Sequence, residues 1–286
     1  MSDPYRAAQA VTKKHAKSFY FASPFLPRQK RRDAFAVYAL CRRLDDAVDE
    51  APDEATAIEE VAAFGRTLDR CYANHPLDDD VLEAARQTIA RCAIPREHFD
   101  ELAEGCRMDL TVTRYADWPA LEQYCYRVAG VVGLIMCRVF DLQDASAEPN
   151  AVAMGNAMQL TNICRDVKED FDRGRIYLPL DEMNAAGVSE DDLAAMCDGS
   201  PVTDNFRAFL RSQMQRATDL YERGRLGLPA LPRDGSRQTA AVMAHVYGGI
   251  LDVIQKADCD VFSARRSTTL LGKLRRVPGA LRLARD

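Results

Sequence analysis

Residues 159–179 read QLTNICRDVKEDFDRGRIYLP, in which Gln159, Asn162, Asp166 and Asp170 follow one another at intervals of three, four and four residues. On a helix of 3.6 residues per turn those intervals put all four side chains on one stripe. Two carboxylates one turn apart, with amide oxygens just before them, are hard oxygen ligands of the kind Mg2+ accepts, water and substrate phosphates completing its shell. Arg173 and Arg175 follow directly and suit those phosphates. A solvated helix face would carry the same residues, because charge runs are commonly surface. The rest of the chain has to decide between the two.

A second stripe reverses the balance. Between Arg28 and Glu50, Val37, Cys41, Leu44 and Val48 repeat at helical spacing, and Tyr38, Arg42, Asp45 and Asp49 form a stripe displaced by one residue, about 100° around the helix. Such a stripe flanks the buried face, where it lines a cleft; a solvent face would lie opposite. A partly buried ion pair between Arg42 and the acids would look the same. The DxxxD spacing thus occurs twice, 121 positions apart. Facing each other across a bundle, the two pairs make a cage of four carboxylates whose repulsion a divalent cation and a diphosphate would relieve.

The remainder of the sequence is helical in character. Prolines punctuate long, Gly-poor intervals rich in Ala, Leu, Arg and Glu, and alternating β-branched runs with hairpin signals are nearly absent. The expected fold is all-α, one domain over 1–286 with a basic tail from about 267. Expected helices cover about 4–17, 28–50, 53–74, 78–93, 95–113, 117–141, 147–171, 180–185, 189–197, 201–227 and 234–260. A formal charge of −5 argues against a broad nucleic-acid surface. Nine cysteines are scattered without CxxC spacing and read as small core residues in a reducing cytoplasm. The N-terminus has no signal-peptide h-region, and the longest apolar run, 128–137, is about half a membrane span. The last 22 residues carry seven cations interleaved with leucines, which suits either an anionic membrane surface or a solvated basic terminus.

Four segments, HAKSFYFA (15–22), YALCRRLDDAVDE (38–50), YCYRVAGVVG (124–133) and 159–179, resemble in order and spacing the signature blocks of the squalene/phytoene synthase family. The resemblance implies an isoprenoid synthase helical bundle with a central cavity. It implies head-to-head condensation of two prenyl diphosphates through a cyclopropylcarbinyl diphosphate. It makes Asp45, Asp49, Asn162, Asp166 and Asp170 the ligands of Mg2+, with Mn2+ as a substitute. It sets His15, Lys17, Ser18, Tyr38, Arg42, Gln159, Arg165, Arg175 and Tyr177 around the diphosphates, Tyr177 at the mouth, and Tyr126 where a cavity tyrosine handles cation or proton. Ala129, Gly130 and Gly133 would let backbone approach substrate or a neighbouring helix, and Phe19, Phe21, Phe35, Met154 and Met158 would wall the polyprenyl tails.

The ending YGGILDVIQKADCDVFSARR (247–266) resembles carotenoid-type members and adds Tyr247 and Arg265 to the site. The expected product is therefore phytoene, from two geranylgeranyl diphosphates, and small Ser23 would leave room for the longer tail. The C15 alternatives are squalene, dehydrosqualene or presqualene diphosphate, NADPH being needed only for squalene. A non-catalytic assembly factor of the same fold would have eroded aspartates, and a chain elongase or terpene cyclase would not explain HAKSF or VAGVVG. The expected setting is cytoplasmic, at the inner face of the membrane, with downstream isoprenoid enzymes as partners.

Overall fold

The computed structural model describes residues 3–285, and their regular structure is helical apart from one isolated bridge between Arg114 and Ile176. The helices are α1 (Tyr5–His15), α2 (Lys17–Ala22), α3 (Arg28–Asp49), α4 (Glu54–Tyr72), α5 (Asp80–Cys92), α6 (Arg96–Thr111), α7 (Trp118–Cys125), α8 (Val131–Phe140), α9 (Glu148–Arg165), α10 (Val167–Asp172), α11 (Leu180–Ala185), α12 (Glu190–Cys197), α13 (Asp204–Arg225), α14 (Ser236–Lys256) and α15 (Leu270–Leu283). Their starts are written locally. Asp53, Asp79, Asp117, Thr203 and Thr269 each accept the backbone N–H three residues on, and Ser189 with Asp192 forms a full capping box.

Two helices organise the packing. α3 buries Val37, Leu40, Leu44 and Val48 against α1, α4, α5, α6 and α8. α9 runs along α13 and also touches α7, α8 and α14. Each anchors its own apolar cluster, the first including Phe99 and Leu102, the second Leu121, Leu160 and Phe206. Half-buried Tyr38, Tyr126 and Val132 pack against the first cluster, and Val128, Met154, Met158 and Tyr247 against the second. The acidic ends of α3 and α9 come together through Arg173, which follows α10 and reaches Asp49.

The structure departs from the expected helices in four places. The expected 4–17 helix breaks at Ala16 (φ −118°, ψ 59°), and α2 begins afresh so that Phe19 and Ala22 can turn inward. The 117–141 helix is interrupted by a single π turn over Tyr126–Gly130, a local widening common at functional sites. The 147–171 helix bends at Asp166 (φ −101°, ψ 18°), although its backbone hydrogen bonds run on through Asp166 N–H to Asn162 and Asp170 N–H to Asp166. The tail is not a solvated coil: α15 packs on α14 and buries Ala280 and Ala284. Its basic composition and internal Pro278 hid the helical signal.

The small residues of VAGVVG serve helix packing. A Cβ on Gly133 would come within 2.4 Å of the Ala151 carbonyl oxygen, and one on Gly155 within 2.2 Å of that of Ala129. Backbone meets backbone where α9 crosses the π turn and α8, and neither side can yield. Gly155→Ala is therefore expected to lower the unfolding free energy by about 1–3 kcal/mol. Gly65→Ala, in open space on α4, should raise it by up to about 1 kcal/mol. Denaturant titration of both checks this; a Gly155→Ala protein as stable as the parent contradicts the close approach.

Candidate active site

The last turns of α3 carry Tyr38, Arg42, Asp45 and Asp49 along one edge of its buried face, as their spacing requires. Burial pushes the Asp45 carboxyl up to about 6, against the partial relief of Arg42 and of the Cys106 thiol, which donates to it at 3.6 Å. Arg42 does not pair with Asp45 or Asp49. It ion-pairs with Asp46, and its Nε is buried without a hydrogen-bond partner. Tyr38 is pushed up to about 12, chiefly by burial. The Phe19 ring lies 6.3 Å from that of Tyr38, which brings α2 to the edge of the cleft.

The opposite wall is the junction of α9 and α10. Burial would raise Asp166, but the guanidiniums of Arg165 and Arg265 outweigh it and hold the carboxyl below its ordinary range. Arg265 reaches Asp166 with paired contacts of 2.9 and 3.0 Å, and Arg165 with one of 2.7 Å and a second, shorter one. Asp170, one turn on, is pushed up to about 7 by burial and by the negative charges of Asp166 and Glu169. Asn162 is tied to both sides, accepting at Oδ1 from the Tyr247 hydroxyl (2.8 Å) and donating to Gln159 Oε1 (3.3 Å).

The two walls face each other. Arg173, just beyond α10, reaches 3.7 Å from Asp49, and Tyr247 lies within electrostatic reach of both Tyr38 and Arg165. The closed four-carboxylate cage is nevertheless absent: among the described residues no three His, Cys, Asp or Glu side chains converge on one metal position. Like charges stay apart where only arginines neutralise them. The donor set fits Mg2+ in its usual mode, one or two carboxylates per ion with water and diphosphate supplying the rest. The orphaned Arg42 Nε fits an incoming phosphate oxygen.

Not every expected residue stands where the sequence suggested. Tyr177 is not at the mouth. It is buried, stacked on Tyr124 and Tyr115, and donates to Asp109 Oδ1 at 2.8 Å. Tyr124 donates to the other oxygen of Asp109 at 3.0 Å. Asp109, whose carboxyl burial raises, sits within electrostatic reach of Asp49 and Arg175 and is a fifth acid of the site. No DxxxD partner advertised it in the sequence. Tyr126 opens the π turn and is half-buried. Asn156, nine-tenths buried with no partner for its Oδ1, points that oxygen at Gly130. His15 and Lys17 are exposed, Ser18 is half-buried, and Ser23 is buried with its hydroxyl donating to the Tyr20 carbonyl. Phe35 is plain core, whereas Met154 and Met158 are half-buried.

The squalene/phytoene synthase family profile matches residues 12–272. The 15-cis-phytoene synthase of Synechococcus elongatus is 36% identical over 98% of this chain and 93% of its own length. The phytoene synthase of Arthrospira platensis is 35% identical over 99% of this chain and 94% of its own. Among solved structures, a dehydrosqualene synthase in complex with ligand superposes with a TM-score of 0.90 at 29% identity, covering 99% of this chain and 96% of that one. A squalene synthase of Alicyclobacillus acidocaldarius gives 0.80 at 28% identity, over 89% of this chain and 94% of that one.

Asp45 and Asp170 hold protons more tightly folded than unfolded, so each is neutral below the ordinary carboxylate range and becomes a growing burden as pH rises toward 6 and 7. In metal-free buffer at about pH 7.5, Asp45→Asn and Asp170→Asn should melt a few degrees above the parent, a gain that vanishes below about pH 4. Thermal denaturation across pH measures it. A gain independent of pH would point to packing instead.

Proposed function

The chain belongs to the squalene/phytoene synthase family and is a prenyltransferase, and within that family we propose that it joins two geranylgeranyl diphosphates head to head into phytoene. The observation that carries this is the pair of facing carboxylate walls, with two buried acids pushed up toward neutrality and cationic side chains between them. Near-full-length likeness to phytoene synthases favours the C20 substrate over C15 ones.

In this reading Asp45, Asp49, Asp166 and Asp170, with Asn162, hold Mg2+, which when bound would neutralise diphosphate as the carbon–oxygen bond breaks. Arg165 and Arg265 turn from Asp166 to phosphate oxygens, joining Arg42 and Arg175, whose planar forks bind them bidentately. His15, Lys17, Ser18, Gln159 and Tyr247 complete the polar rim. Asp109 keeps Tyr177 and Tyr124 fixed behind Arg175. The donor's diphosphate departs, its allylic cation is captured by the acceptor's C2=C3 bond, and loss of a first proton, from the donor's C1, to the departed diphosphate closes a cyclopropylcarbinyl diphosphate. A second ionisation then rearranges the ring to the 1-1′ linkage, and loss of a second proton, toward Tyr126 and the released diphosphate, leaves the central triene. The half-buried Met154 and Met158 side the tails and exclude water from the cation.

Incubation with Mg2+ and either farnesyl or geranylgeranyl diphosphate, with and without NADPH, tests the proposal. Phytoene from the C20 substrate without NADPH is expected. A C15 product alone would move the chain to the squalene branch, and absence of diphosphate release from both would leave a scaffold. Asp45→Asn and Asp166→Asn should each cost at least about 100-fold in turnover with helicity intact.

We also infer contact with an anionic membrane. Among the described residues no helix is long and apolar enough to cross one. The first turns of α15 expose Leu270, Leu271 and Leu274 at 66, 57 and 51%, beside exposed Arg275 and half-buried Lys273, the pattern of an interfacial helix. Because the far half of α15 belongs to the core, truncation is a poor test. Leu270→Glu with Leu271→Glu and Leu274→Glu should abolish cosedimentation with phosphatidylglycerol vesicles; unchanged binding rejects the contact.

A further inference from the structure

A second cavity lies between α1 and the start of α3, with a volume of about 260 Å³. Arg6, Arg28, Arg31 and Arg32 line it, together with one carboxylate, Asp3, and the Tyr5 ring. It is separate from the acidic walls: Arg32 and Asp45 are thirteen residues apart on one helix, about 20 Å along its axis.

The charges around this cavity are not balanced by the protein. Among the described residues no carboxylate stands within ion-pair distance of Arg6, Arg28 or Arg31. Arg32 has Asp3 as partner and lies 4.3 Å over the Tyr5 ring, and its Nε is buried with no hydrogen-bond partner. The neighbouring acid, Asp33, does not help. It is 2% exposed and spent on Arg91, Thr88 and Gln29. Arg91 and Thr88 in turn reach the Tyr5 hydroxyl, at 2.6 and 3.4 Å. Tyr5 is thus held by a hydrogen-bonded network, while exposed Arg6 and Arg28 and half-buried Arg31 keep three positive charges without an ion-pair partner. In a chain with a net charge of −5, that concentration of cations around one cavity is local and costs repulsion unless an anion relieves it.

We propose that this cavity is a second anion site, which takes a compact, multiply charged phosphate: inorganic diphosphate or the phosphomonoester headgroup of a lipid. Guanidinium forks select planar pairs of oxygens, and three unpaired forks match a group with several of them better than a single carboxylate. The volume is just below the usual range for small-molecule pockets, roughly 300–1,000 Å³, which suits a headgroup-sized ion rather than a nucleotide or an isoprenoid tail. None of this depends on the reaction proposed above.

Calorimetric titration of the full chain with inorganic diphosphate in Mg2+-free buffer, compared with Arg28→Gln/Arg31→Gln and with Arg175→Gln, tests the soluble source. Binding weakened about tenfold or more by the double variant and left in place by Arg175→Gln supports the site. The lipid source is tested by cosedimentation with vesicles holding equal molar charge as phosphatidic acid or phosphatidylglycerol. A preference for phosphatidic acid that the double variant loses also supports it. If the chain binds neither probe, or if Arg28→Gln/Arg31→Gln changes neither interaction, the proposal fails. Circular dichroism of the double variant controls for folding, and Arg28 and Arg31 make no ion pair whose loss would unfold it.

Discussion

Carboxylates brought together away from bulk water repel one another and resist ionisation, and the chain must supply cations or accept protons wherever it gathers them. Both responses are visible on the two facing walls. Asp166 is kept ionised by Arg165 and Arg265, whereas Asp45 and Asp170 are pushed up toward neutrality by burial, which Arg42 at the first and Arg173 and Arg175 at the second only partly offset. Asp109 meets the same pressure with two tyrosine hydroxyls. Each arrangement is tolerable without metal and improves when positive charge arrives, which is how a binding site can be poised without collapsing.

The scaffold around those acids is held by unpolar means. α3 and α9 each sink one face into an apolar cluster, and the acidic stripes ride on the edges of those faces. The crossing of α9 with the π turn is set by backbone contact at Gly133 and Gly155, so the wall bearing Asp166 cannot drift relative to Tyr126 without opening a packed seam.

The all-α fold and both DxxxD stripes were legible because helical periodicity is a local signal, and the displacement of Tyr38–Asp49 by one residue from the apolar stripe already placed it beside a cleft. The carotenoid-like ending at 247–266 added Tyr247 and Arg265, whose spacing says nothing alone. What could not be read depended on distant partners. Asp109 acquires its place from Tyr124 and Tyr177, 15 and 68 residues away. The bend at Asp166 goes with arginines on both sides of it, and α15 depends on docking against α14. The cationic cavity draws three of its arginines from the basic run at the start of α3, but its closure by Arg6 and Tyr5 of α1 is set by packing between the two helices.

The polar ties of the Asp166 wall span long stretches of chain. Tyr247 reaches Asn162 across 85 residues and Arg265 reaches Asp166 across 99. Helical contacts close short loops, whereas these ties close long ones. Arg265, its side chain largely exposed on the non-helical segment between α14 and α15, can let go of Asp166 without disturbing either apolar cluster, which gives that wall a local way to open.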